Sequence, residues 1–246
     1  MTRYKLIVEY DGSPYVGWQR QDNGPSVQQS LERAVAAFAG EPARAFAAGR
    51  TDAGVHALRQ TVHVDIDRAC PPLTVQKAVN FHLRGEPISV LEAREVDPSF
   101  HARFSAISRT YLYRILDRPA PPSLDRLRVW HVPRRLDDAA MSRSARPLVG
   151  RHDFTTFRSS RCQASSPVKT LDRLEVARHG GEVRVTAVAR SFLHSQVRSM
   201  VGALKLAGEA RWSEADVAAA LGARSRAAAP ATAPPGGLYL ADVGYP

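Results

Sequence analysis

The sequence predicts an α+β protein with a mixed or antiparallel sheet, in an element order that suggests two similar halves, residues 1–108 and 109–246. Two observations point there. Short alternating apolar segments interleave with segments of helical period, and the same order begins again near residue 109. In addition, "VKTLDRLEVAR" and "EVRVTAVARS" flank His179-Gly180-Gly181, a hairpin signal that requires antiparallel strands.

The elements follow in order. "RYKLIVEY" (3–10) alternates as a strand, with Tyr4, Leu6, Val8 and Tyr10 on one face. "DGSPYVGWQRQDNGPS" is a loop by its Gly, Pro, Asp and Asn content. Ser26 caps a helix to Ala39, with Val27, Leu31, Val35 and Phe38 on its inner face. A short apolar piece, "ARAFAAG", precedes "GRTDAGVHA" (49–57), and "RQTVHVDID" is the next strand. Thr74 is placed as the cap of a helix through Leu83, and "ISVLEAREV" as a strand. "RTYLYRILD" opens the second half. "APPSLDRLRVWHVP" is a Pro-marked connection able to divide the chain. Asp137 caps a helix to Val149, closed by Gly150. After the hairpin come helices over 194–207 and 213–222, the second capped by Ser213. "ARSRAAAPATAPPGG" is a low-complexity linker, and "LYLADVGY" is a closing strand.

Composition bounds the function. Hydrophobic residues are 44% and charged residues 24%, as in ordinary globular proteins. No apolar run approaches the ~18 residues of a membrane span, and the N-terminus runs straight into a strand pattern. Cys70 and Cys162 lie outside any CxxC or Cys/His cluster, so neither a metal site nor a disulfide framework is expected. A cytoplasmic protein is the expectation. Net charge is +10, which calls for an anionic partner, nucleic acid first. Only four of the 34 basic residues are lysine (5, 77, 169, 205). Genome bias explains that preference for arginine, but not the excess of positive charge.

In "GRTDAGVHA", Asp52 sits between Gly49 and Gly54, after Arg50 and Thr51 and before His56. A turn with a helix cap is one reading of such residues. The other is a pre-formed loop presenting one carboxylate from a connection between strands.

Separated stretches now decide between them. "VEYDGSPYVGWQRQ" (8–21), "SVQ" (26–28), "GRTDAGVHA", "FHARFSA" (100–106), "RTYLYRI" (109–115), "HDFTTFR" (152–158), "FLHSQVRSMVG" (192–202) and "GLYL" (237–240) resemble, in order, the tRNA pseudouridine synthase A family. The resemblance runs from residue 3 to 245. It implies the pseudouridine synthase fold, with two similar α/β halves acting as one catalytic unit, a continuous mixed, largely antiparallel sheet and a central RNA-binding cleft. It further implies a homodimer that isomerises uridine to pseudouridine at positions 38, 39 and 40 of the tRNA anticodon arm, without metal or organic cofactor. Asp52 matches the family's catalytic aspartate. Arg50 matches an arginine that contacts RNA and fills the space of the extruded base. Tyr111 matches the tyrosine that stacks on the target uracil, Arg198 the arginine that pairs with the carboxylate, and Leu238 an apolar residue beside the base. Arg20, His101 and Arg103 are further candidates for the RNA cleft. His56 is read as structural rather than as a base.

The chain departs from the pattern at Gln196, where Met is usual, and at Arg84, where Pro is usual. It also stops at Pro246, earlier than some relatives. The chemistry fits the residue types. Breaking C1′–N1 and forming C1′–C5 oxidises nothing and transfers no outside group. A carboxylate can serve as nucleophile, base or stabiliser of positive charge at C1′.

Overall fold

Apolar alternation at the N-terminus produces strand β1 (Thr2–Tyr10), whose Tyr4, Leu6 and Val8 are fully buried. The computed structural model describes residues 1–246. It contains ten strands and five α-helices in mixed, largely antiparallel pairing, the α+β class that the patterning predicts. No helix is long and apolar enough to cross a membrane. The chain divides into two compact units. The first comprises Met1–Arg109 with Tyr239–Pro246, and the second Thr110–Leu238.

In the first unit β1 is central. It pairs antiparallel with β3 (His56–Ile66) and with β4 (Ile88–Val96), in registers such as Leu6↔Val62 and Leu6↔Ala93. The far side of β3 takes β2 (Phe46–Ala47) near its end, antiparallel, and β10 (Leu238–Gly244) at its start, parallel. Strand β3 therefore has neighbours on both edges, and from Gln60 to Val64 it is buried on both faces, so its polar residues Gln60, Thr61 and His63 lie inside. Helix α1 (Val27–Ala39) starts where Ser26 Oγ accepts the Gln29 N–H at 3.2 Å, and it stops at Gly40, whose φ is +82°. Helix α2 (Pro72–His82) packs on β4 and α1. Thr74 is not its cap. Pro72 takes the first turn, where its missing N–H costs nothing, and starts the helix three residues earlier than a Thr74 cap would.

The second unit orders its strands β5-β9-β8-β7, with β5 (Ser108–Leu116), β7 (Gly150–Asp153), β8 (Val168–His179) and β9 (Glu182–Ala189). The β8–β9 hairpin turns at Gly180-Gly181, with Gly180 at φ +59°. The Pro-marked connection divides nothing: it lies inside this unit and contributes β6 (Trp130–His131), parallel to β5. Asp137 caps α3 (Asp138–Ala145) as expected, but the helix ends before Val149, because Pro147 forces a 3-10 turn over Arg146–Leu148. Helix α4 (Gln196–Gly208) begins two residues after the patterned start, and α5 (Glu214–Gly222) has a Ser213–Asp216 capping box.

One buried cluster sets a pH dependence. His63, 1% exposed, stacks on Phe46 at 4.8 Å and has its imidazole pushed down to about 4, first by burial and then by the Arg3 guanidinium. The unfolded chain therefore binds the proton first, near the ordinary value of 6.5. Stability from this group is complete above that value and is lost as pH falls toward about 4. Urea midpoints measured across that window should fall, and His63→Phe should flatten the fall. An equal slope in the variant would assign it elsewhere.

Candidate active site

Two loops build one surface in the first unit. Residues 48–55 connect β2 to β3, and residues 11–25 connect β1 to α1. Gly17 and Asp52 form an isolated antiparallel bridge, Trp18 N–H donates to the Thr51 carbonyl at 3.0 Å, and Gly54 N–H to the Tyr15 carbonyl at 3.4 Å. The approach tolerates no side chain. A Cβ on Gly12 would lie 2.0 Å from the Val55 carbonyl oxygen, and one on Gly17, at φ +118°, would lie 2.8 Å from that of Thr51. The glycines of "YDGSPYVGW" thus exist for the loop of "GRTDAGVHA".

Side chains clamp that loop from beneath. Buried Gln60 donates Nε2–H to the Gly49 carbonyl at 2.7 Å, and the Tyr10 and Thr51 hydroxyls lie 2.8 Å apart. Burial pushes the Tyr10 phenol up to about 12, so it stays a neutral hydrogen-bonding group. His56, 2% exposed, takes the Gly12 N–H on Nδ1 at 3.1 Å, with Asp11 Oδ1 3.0 Å from the same nitrogen. Its ring stacks on Tyr239 at 4.8 Å. His56 is thereby used in building the loop, as the structural reading expects. No helix follows Asp52, so the helix-cap reading fails. The carboxylate is half-buried on the way into β3, and Arg50 beside it is exposed.

The second unit holds Tyr111, Arg198 and Leu238. Tyr111, half-buried on β5, meets Phe192 edge-on at 5.2 Å and 90°. Arg198 lies in the first turn of α4, with Nε–H donating to the Ala233 carbonyl at 2.8 Å, while Ala233 N–H donates back to the Arg198 carbonyl at 3.1 Å. The segment 223–237 is therefore no linker. A Cβ on Gly202 would lie 2.2 Å from the Ala231 carbonyl oxygen, so these small residues form a strap against α4. Leu238 is 6% exposed at the start of β10. Gln196 opens α4, directly after Ser195 at φ +60°. Its Oε1 accepts the Leu193 N–H at 2.8 Å, and its buried Nε2 has no partner.

The remaining candidates also lie in the first unit. Arg20 is exposed, 3.9 Å from Glu32, and lines an open depression of about 530 Å³ with Gln21, Arg33 and Glu86. Asp52 does not line it. His101 is half-buried, and its Nδ1 accepts the Arg103 and Phe104 N–H groups, so it shapes a turn. Arg103 is exposed.

Sequence reasoning passed over two residues. Arg109, 8% exposed, donates to the carbonyls of Ala48 at 2.9 Å and Arg103 at 2.7 Å, which ties the root of the Asp52 loop to the 100–105 turn. Its only sequence signal is a guanidinium at an inward strand position. Phe192 is the other, with no signal beyond its place in "FLHSQVR". Together the first-unit loops make a rigid scaffold holding a partly solvated carboxylate next to an exposed cation. That arrangement suits acid, base or nucleophilic work on an anionic substrate.

Comparison with known proteins gives one answer. The family model described as "tRNA pseudouridine synthase" matches residues 6–105 and 144–246. The chain is 59% identical over 245 residues to a tRNA pseudouridine synthase A of Rhodospirillum centenum, covering all of both chains. It is 58% identical to that of Rhodopseudomonas palustris and 55% identical to that of Parvibaculum lavamentivorans, again over the full length of each.

The glycine contact is open to measurement. Gly17→Ala combines a strained φ with a backbone clash and should cost about 1–3 kcal/mol in urea unfolding. Gly40→Ala, where nothing lies within 4 Å of the added carbon, should cost less. Equal losses at the two sites would deny the close approach its importance.

Proposed function

The chain belongs to the tRNA pseudouridine synthase family, and on that premise we propose that it isomerises uridine to pseudouridine at positions 38, 39 and 40 of the tRNA anticodon arm, with Asp52 as its catalytic carboxylate. The observation that supports the assignment is the bridge between Gly17 and Asp52. It joins the two most specific motifs of the chain into one clamped loop that presents a single acid.

The target base lies in a stem-loop and must be extruded, which costs a few kcal/mol. In the family pattern Arg50 contacts the RNA and occupies the vacated stack, and its exposure suits that role. Tyr111 stacks on the extruded uracil, a contact worth roughly 1–3 kcal/mol. Its edge-on contact with Phe192 limits how its ring can turn. In the family pattern Arg198 is the partner of the carboxylate, and its Nε–H bond to the Ala233 carbonyl holds its side chain in place. Leu238 lies beside the base. The isomerisation needs no outside group, so no cofactor or metal is invoked. Arg20, His101 and Arg103 extend the RNA surface. The protein works on tRNA in the cytoplasm as a homodimer, and both units of each chain contribute to catalysis. Shape and phosphate contacts dominate recognition, because adjacent positions with different neighbours are all modified.

Incubation with an unmodified tRNA transcript, followed by carbodiimide labelling and reverse transcription, should give stops at 38 to 40. Asp52→Asn should bind tRNA with little change and give no stops. Tyr111→Ala should bind but isomerise far more slowly. Free uracil released by the unaltered enzyme would point instead to a nucleosidase, and stops with Asp52→Asn would remove the aspartate from the chemistry.

A further inference from the structure

We propose that the 100–105 turn presents Phe104 as a stacking platform for a second nucleobase of the bound tRNA, apart from the target uridine, with Arg103 and Arg44 meeting its flanking phosphates. The proposal rests on the tRNA-modifying reading above and adds a subsite to it.

Phe104 is 73% exposed. An exposed phenylalanine alone means little, because single apolar residues are common on surfaces. Here the backbone beneath it is held from every side. His101 N–H donates to Ser105 Oγ at 3.0 Å, and Ser105 N–H returns to the His101 carbonyl at 2.9 Å. His101 Nδ1 accepts the N–H groups of Arg103 and Phe104. Ala102 donates to His63 Nδ1 at 3.1 Å, its carbonyl accepts the Tyr245 hydroxyl at 2.5 Å, and Arg109 holds the Arg103 carbonyl. The ring is therefore kept in water by a rigid turn, the reverse of what folding alone would select.

Its surroundings name the occupant. The Phe104 ring lies 4.4 Å from the His101 ring, which lies 5.8 Å from Phe46. The Arg103 guanidinium sits 5.6 Å from the Phe104 centroid, and that of Arg44 sits 4.9 Å from Phe46. Both arginines are exposed. Aromatic faces interleaved with guanidinium groups match a base and its phosphates, each base offering a π face whatever its sequence. A second copy of this chain, which carries net charge +10, would bring like charge to the same arginines.

The test uses the full chain and an unmodified tRNA transcript. Phe104→Ala should weaken tRNA binding by about 5- to 150-fold, the range one stacked base provides, with the salt dependence unchanged. Phe104→Tyr should restore it. Arg103→Ala should weaken binding and lower the salt slope by about one. Transcripts carrying 4-thiouridine should cross-link to the peptide containing Phe104. Unchanged affinity in Phe104→Ala would overturn the platform. So would a shift from dimer to monomer by light scattering, which would make the turn a contact between copies. A chain that forms pseudouridine while Phe104→Ala binds normally would lose only this subsite; a chain that forms none would lose the enzymatic reading itself.

Discussion

The structure around Asp52 depends on one steric fact: two stretches of backbone lie closer than any side chain permits. Gly12 against Val55 and Gly17 against Thr51 let the 11–25 loop lie along the 48–55 loop, so that peptide groups satisfy one another instead of water. The position of the Asp52 backbone then follows from these main-chain contacts. The polar residues buried under the loop, Gln60, Thr51, Tyr10 and His56, follow from the same contact, since a loop packed this closely onto a sheet needs internal partners.

A second level of organisation uses cations as mortar. Arg109 spends its guanidinium on carbonyl oxygens, joining the Asp52 loop to the 100–105 turn. In the other unit, Arg178 grips Asp117 at 2.8 and 2.9 Å and Asp138 at 2.7 Å, and Arg114 holds Asp125 and Glu182. So a part of the positive charge in the composition is structural. Burial and nearby arginines push the imidazoles of both His63 and His101 below the ordinary histidine range. The charge left to meet an anion belongs to the exposed arginines, Arg50, Arg103, Arg44 and Arg20 among them.

What could be read from the sequence was mostly local. Ser26 and Ser213 as caps and Gly180-Gly181 as a hairpin turn depend on neighbours within four residues, and the structure has them. The Asp52 loop was legible because its glycines sit in two motifs specific enough to point to one family. Errors came where distant partners or a proline decided. Pro72 displaced Thr74 as a helix start, and Pro147 ended α3 early. Residues 223–237 have the composition of a linker, yet Ala231 and Ala233 owe their order to Gly202 and Arg198, about thirty residues back. Arg109 and Phe192 had no readable role for the same reason: each is defined by what it touches across the fold.

The return of residues 239–246 to the first unit has a consequence for synthesis. A ribosome releases chain from the N-terminus, so residues 1–109 emerge with β1, β3 and β4 able to pair, but with the start of β3 missing its parallel neighbour. His56 then lacks the ring of Tyr239, and Ala102 lacks the hydroxyl of Tyr245. The edge beside the aspartate loop stays open while the whole second unit is made. The half that holds the acid is thus the first to be translated and the last to be finished.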